Sequence, residues 1–253
     1  MQHQLRLFFV ALQFLTRCPV PRWVGYQPAW LQHCARWFPA VGTLVGIVAA
    51  LVLWAALKLW PPAVAVGLSM AVSVWFTGGF HEDGWADTCD GLGGAVSHEK
   101  ALAIMKDSRI GSYGALGLLL MLGLKAATLT ALTANAPLAL AGLVFAHTAS
   151  RAAPVVLMRL LPYAGDIEHA KAKPLATQAG TDTLALALGW TLVAGIALLP
   201  LLRLVAALLA LAALVLWMRR WLKRRLGGYT GDNLGACQQL SELAVLLVLA
   251  AAS

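Results

Sequence analysis

Apolar runs, each about as long as a bilayer is thick, constrain this chain more than any other feature. They cover residues 38–59, 63–80, 113–132, 138–161 and 234–251, and a longer run over 183–218 is broken near Pro200 and Arg203. A helix needs about 20 apolar residues to span the hydrocarbon core. Hydrophobic residues make up 60% of the 253-residue chain and charged ones only 12%, whereas a soluble domain is about half apolar and a quarter charged. The expected fold is therefore all-α, a polytopic integral membrane helical bundle. Reading 183–218 as two short spans gives about seven transmembrane helices.

Charge sets the orientation. Fifteen of the nineteen basic residues fall in the segments before 38, 81–112, 159–182 and 219–233. Lys58 and Arg203 lie by the opposite turns, and Lys125 and Arg151 lie inside spans. By the positive-inside rule these long connections are cytoplasmic, with the N-terminus on the same side. A single crossing over 183–218 would put the most basic loop outside, which favours two. The chain reads as one membrane domain, 1–253, with an N-terminal interfacial segment 1–37, an acidic motif loop 81–112 and cytoplasmic loops 162–182 and 219–233. Leu5, Phe8, Phe9, Leu12 and Leu15 at helical spacing suggest an amphipathic segment in the interface, or a short re-entrant helix. No cleavage site follows it, so no signal peptide is expected. The net charge of +8 is then a topology signal and an attraction to the lipid bilayer, with no nucleic acid implied. The four cysteines are scattered without a CxxC pair, so neither a disulfide framework nor a zinc site is indicated.

Four of the eleven acidic residues crowd into one stretch of 15, residues 80–94: Glu82, Asp83, Asp87 and Asp90. Asp83, Asp87 and Asp90 are spaced i, i+4, i+7, which places all three on one helical face. A solvated acidic helix end is the plain alternative, but such a helix interleaves its acids with Lys or Arg. Here the residue four after Asp83 is Asp87, and four after Asp87 is Gly91. Like charges at this spacing repel unless a cation joins them. The candidate ligands are all hard oxygens, which suits Mg²⁺ or Mn²⁺ and not Zn²⁺. The second span is expected to deliver this motif at its cytoplasmic exit.

Other polar groups gather around the same face of the membrane. Lys106 and Arg109 are spaced to share a helical face and to hold phosphate, with Asp107 as a further ligand or as a partner for Arg109. Gly111, Ser112 and Gly114 offer backbone N–H groups to an anion at the start of the third span. Interfacial anchoring is the alternative for both basic residues. Arg151, four residues after His147, is a charge inside a span and must face a polar cavity or an acid. Substrate contact and a buried pair with Glu242 both answer that need, and Lys125 poses the same choice. Residues 227–236, with Thr230 and Asp232 between glycines, suit a cradle for phosphate or a polar base, or a simple helix cap. Residues 162–174 read as a mobile lid.

An acid cluster, basic residues and a glycine-rich cradle at the inner face suggest Mg²⁺-assisted phosphoryl transfer. At 14–21, 78–91, 104–111 and 227–232 the sequence closely resembles the cobalamin synthase family (adenosylcobinamide-GDP ribazoletransferase), in order and nearly end to end. The resemblance implies that adenosylcobinamide-GDP reacts with α-ribazole, or its 5′-phosphate, to give adenosylcobalamin (phosphate) and GMP. It implies Mg²⁺ on Asp83, Asp87 and Asp90, and Glu82 as a further ligand or as the base. Lys106 and Arg109 would hold the diphosphate, and Asp232 would support substrate or metal. It also implies a bacterial inner-membrane location, and leaves an oligomer open. Two alternatives remain. A CDP-alcohol phosphatidyltransferase needs an Arg after the Ala of its opening motif, where this chain has Asp87. A cation transporter commonly keeps its acids at mid-membrane in broken helices, whereas these acids are expected at a span exit.

Overall fold

The computed structural model describes residues 2–25, 27–94, 97–165 and 179–251. It is built from helices: α1 (Gln2–Leu15), α2 (Pro28–Cys34), α3 (Phe38–Ala56), α4 (Pro62–Thr77), α5 (Phe80–Gly94), α6 (His98–Met105), α7 (Ser112–Leu132), α8 (Ala136–Leu160), α9 (Thr181–Leu198), α10 (Leu201–Leu226) and α11 (Gly231–Ala251). Proline opens several of them, in the first turn of α2, α3, α4 and α8, where a missing N–H costs nothing.

Each expected span falls on one helix, α3, α4 and α7 to α11 in order. Among the described residues, five helical stretches are apolar enough by length and composition to cross a membrane, or six if the bent pair α4–α5 counts as one. One of the five, Ser112–Leu160, is 49 residues long and contains both α7 and α8. At 1.5 Å per residue it would measure roughly 74 Å, against a hydrocarbon core of about 30 Å, so it is long enough for two crossings. The break in the long run 183–218 falls at Leu199–Pro200, between α9 and α10.

Two local expectations are corrected, and a third lies largely outside the described residues. The basic stretch expected in loop 219–233 is helical as far as Leu226, because Lys and Arg are good helix formers and favour the negative end of the helix dipole. On α1 the buried stripe is Leu7, Val10, Ala11, Leu12 and Leu15, while Leu5 points outward. That stripe packs against α2 and α3. Of the segment expected as a lid, residues 166–174 lie outside the described residues. Its start is pinned, since Tyr229 N donates to Pro162 O and Ala164 N to Tyr229 O.

The bundle is closed around α8 and α11. Gly42 and Gly46 of α3 lie directly against the backbone of His147 and Val144 on α8, the close approach that small residues four apart permit between membrane helices. The largest departure from a simple bundle is at Gly78–Gly79. Both residues have positive φ, 76° and 71°, where a side chain is strained. The chain turns 89° there, between α4 and α5.

Candidate active site

The turn at Gly78–Gly79 decides where the acidic motif goes. α5 does not leave the bundle; it packs between α7 and α11. It runs antiparallel to the first half of α11: Asn233 Nδ2 donates to Thr88 Oγ1 at 3.1 Å, and Gln239 Nε2 to Glu82 Oε1 at 2.9 Å. Glycines set the spacing. A Cβ on Gly84 would stand 2.8 Å from the carbonyl oxygen of Asp232, 3.2 Å from its Cα and 3.3 Å from Gly235 Cα. Asp232 is thereby brought against the turn of α5 that carries Asp83 and Asp87.

At 100° per residue, Asp83, Asp87 and Asp90 fall within roughly 60° of arc, on the face that avoids α11. Asp83 is exposed, and Asp87 and Asp90 are half-buried. Asp83 and Asp87 lie one turn apart on that face, and Asp232 meets the same turn of α5 through its backbone at Gly84.

Asp90 has a different occupation. Its Oδ2 accepts from Gly111 N and its Oδ1 from Gly114 N, both at 2.8 Å. These are the N–H groups expected to meet a substrate anion at the start of the third span. The anion they meet is Asp90 itself, which caps α7 and ties the far end of α5 to it.

Glu82 points the other way. Together with Lys125, His147 and Glu242 it lines a cavity with about 10 Å³ of room for water centres, about one water molecule. Those three residues lie near the midpoints of α7, α8 and α11, so Glu82 belongs to the middle of the bundle. The expectation that all four acids sit at a span exit is corrected for this one. Glycine at 78 and 79 allows the sharp turn that carries Glu82 inward.

A buried polar network holds this level together. Glu242 Oε1 pairs with Lys125 Nζ at 2.9 Å, and its Oε2 with His147 Nδ1 at 3.2 Å and Gln238 Nε2 at 2.7 Å. Lys125 also donates to Gln239 Oε1 at 2.8 Å, and Gln238 to Ser150 Oγ at 2.9 Å. Gln239 therefore joins Lys125 to Glu82. The second oxygen of Glu82 is buried without a partner.

Several other expected contacts turn out to be structural. Arg151 is 2% exposed and donates Nη1 to the His147 carbonyl at 3.0 Å, so it reaches no open surface. Thr230 caps α11: its N–H donates to Asn233 Oδ1 at 2.9 Å, and Asn233 N returns to Thr230 Oγ1 at 3.3 Å. Gly228 lies against the Pro162 carbonyl, which closes that side of the expected cradle. Lys106 and Arg109 do not share a helical face, because α6 ends at Met105. Arg109 is gripped by Asp107 through Nε at 3.0 and 3.1 Å and Nη2 at 2.6 Å. That grip holds the Asp107 carboxyl down at about 2, and Arg109 stays 87% exposed. Gln238, Gln239 and Asn233 are the polar residues that motif spacing missed. The polar run Gln238–Glu242 inside an otherwise apolar span was their visible signal.

Among the described residues, no three His, Cys, Asp or Glu side chains converge closely enough to enclose a metal. The arrangement still suits a hard cation. Asp83 and Asp87 stand one turn apart on one face of α5, and Mg²⁺ takes one or two carboxylates and completes its shell with water and substrate phosphate.

Residues 7–250 match the protein family described as cobalamin-5-phosphate synthase. An adenosylcobinamide-GDP ribazoletransferase of Leptothrix cholodnii is 62% identical, over 97% of this chain and 95% of its own. Proteins of the same name from Shewanella amazonensis and a Polaromonas species are 46% and 45% identical. These two alignments cover 98% and 97% of this chain, and 96% of each relative. No solved structure matches.

Proposed function

Because this chain belongs to the cobalamin-5-phosphate synthase family, we propose that it joins adenosylcobinamide-GDP to α-ribazole or its 5′-phosphate. The products are adenosylcobalamin or its phosphate, and GMP. The observation that carries the reading is the near-full-length identity with relatives of that named activity, on a chain whose carboxylates gather on one open helical face. A hydroxyl oxygen of the ribose forms a new bond to the phosphorus borne by the corrinoid side chain. The bond from that phosphorus to the GMP oxygen breaks, and the hydroxyl proton leaves to a base.

The chain's own residues account for the positioning. Asp83 and Asp87, supported by Asp232, would hold Mg²⁺. When bound, the ion supplies neutralisation of the diphosphate and of the charge that grows on departing GMP. Asp90 fixes α5 against α7, so the two ligands keep their register. Glu82, held through Oε1 by Gln239, faces the buried network and not this carboxylate face, so its part is to seat α5 and not to take the hydroxyl proton. Lys106, at the end of α6, is the basic residue best placed to meet phosphate. Arg109 would have to exchange Asp107 for substrate. The asymmetry of basic residues supports a site on the cytoplasmic side of a bacterial inner membrane.

The test uses purified protein with Mg²⁺, adenosylcobinamide-GDP and α-ribazole, with GMP release and product mass as readouts. Asp83→Asn and Asp87→Asn are expected to stop turnover while the protein stays folded. Chelation should stop it, and Mg²⁺ or Mn²⁺ should restore it. Normal GMP release from either variant would refute the assignment.

A further inference from the structure

Arg17 takes no part in the polar groups of the site, yet the fold places it at the turn on which α5 depends. Its backbone N–H donates to the Phe76 carbonyl at 2.8 Å, in the last turn of α4. Its side chain lies across Gly78, where a Cβ would stand 2.9 Å from Nε. There it closes one end of a groove of about 500 Å³, whose walls include Met70, Val74 and Trp75 of α4 and Leu122 of α7.

Among the described residues Arg17 is the only charged one in that lining. Trp75 is 66% exposed, on a face that meets lipid in a membrane-spanning bundle. Among the described residues no carboxylate lies within ion-pair distance of Arg17. A guanidinium at the end of an apolar, lipid-facing groove calls for an anion that carries its own hydrocarbon. Its planar fork matches phosphate oxygens, and basic pockets between membrane helices take anionic headgroups. We propose that this groove binds an anionic phospholipid, with the phosphate on Arg17 and one acyl chain along Met70, Val74, Trp75 and Leu122. The bound lipid then braces the Gly78–Gly79 turn from outside the bundle.

The experiment is fluorescence quenching of the purified full-length chain in detergent by phospholipids with brominated chains. Brominated phosphatidylglycerol should quench saturably, and Trp75→Phe should remove that component. Arg17→Gln should weaken the apparent affinity about five-fold, the effect of one basic residue at a headgroup, and Arg17→Lys should weaken it less. Ala71→Phe, which fills the groove and leaves Arg17 in place, should abolish saturation, so the test survives if Arg17→Gln misfolds. Identical curves for phosphatidylglycerol and phosphatidylcholine, or for wild type and Arg17→Gln, would overturn the proposal in favour of bulk lipid alone. Displacement of the lipid by adenosylcobinamide-GDP would overturn it in favour of a substrate site.

Discussion

The contact between Gly84 and Asp232 is the most direct test of how the site is assembled. In Gly84→Ala the new Cβ would meet the Asp232 carbonyl at 2.8 Å, where ordinary contact begins at 3.4 Å. The obstacle is backbone, so no side-chain rotation relieves it, and α5 must move from α11 by roughly 0.6 Å. Overpacking of this kind costs about 1–3 kcal/mol. Replacing a helical glycine with alanine gives back up to about 1 kcal/mol, which leaves a net loss of about 0–2 kcal/mol. Turnover should suffer more, because a misplacement of about 1 Å at a reacting centre costs on the order of 100-fold. A shift of this size predicts a kcat lower by about ten-fold. The assay is GMP release at saturating substrates, beside thermal unfolding in the same detergent. Gly67→Ala on α4, where a Cβ meets nothing within 4 Å, should leave turnover unchanged and raise stability by up to about 1 kcal/mol. Gly84→Ala turning over within two-fold of wild type would show that the placement of Asp232 beside α5 is irrelevant to the chemistry.

Asp90→Asn should separate structure from chemistry. It leaves one of the Gly111 and Gly114 N–H groups without its carboxylate oxygen and should lower stability by about 1 kcal/mol, a loss that Asp83→Asn should not show in parallel melts. Lys125→Met strips Glu242 of its 2.9 Å partner and should cost about 3–5 kcal/mol. Part of that should return in Lys125→Met/Glu242→Gln, read from a double-mutant cycle of unfolding. Arg109 depresses Asp107 from 3.8 to about 2. The contribution of that pair is therefore complete above the ordinary value and is lost only as pH falls through about 2. Asp107→Asn should leave the pH profile of turnover unchanged between about pH 5 and 9, and an altered limb in that window would show that Asp107 meets substrate.

The helical bundle was legible because membrane spans announce themselves through length and composition, and the short turns at 57–61, 133–135 and 199–200 follow from Pro, Asn and the ends of apolar runs. The turn at Gly78–Gly79 was less so. Two glycines after an apolar run read equally well as a helix end at the interface or as a corner inside the protein. The two differ only in whether neighbouring helices supply partners for the polar side chains of α5. Gln239 supplies one to Glu82 and is itself held by Lys125, which pairs with Glu242, and all three lie more than forty residues from Glu82 in the chain.

The same gap explains why four carboxylates in one motif separate into three jobs. Spacing fixes which of them share a face of α5, and on that point Asp83, Asp87 and Asp90 were predictable. It does not say what stands opposite each one. Asp90 faces the bare N–H groups of α7, so a cap satisfies it; Glu82 faces a buried lysine through a glutamine. Asp83 looks outward, with Asp232 brought up to its turn by the two glycines at the α5–α11 crossing. A metal reading that counts carboxylates overestimates the ligand number, because a carboxylate already accepting two backbone N–H bonds has less to give a cation. On that ground the chain should lose more Mg²⁺ affinity from Asp232→Asn than from Asp90→Glu, which keeps both acceptors. Titration of turnover against Mg²⁺ measures the difference, and the reverse order would return Asp90 to the ligand set.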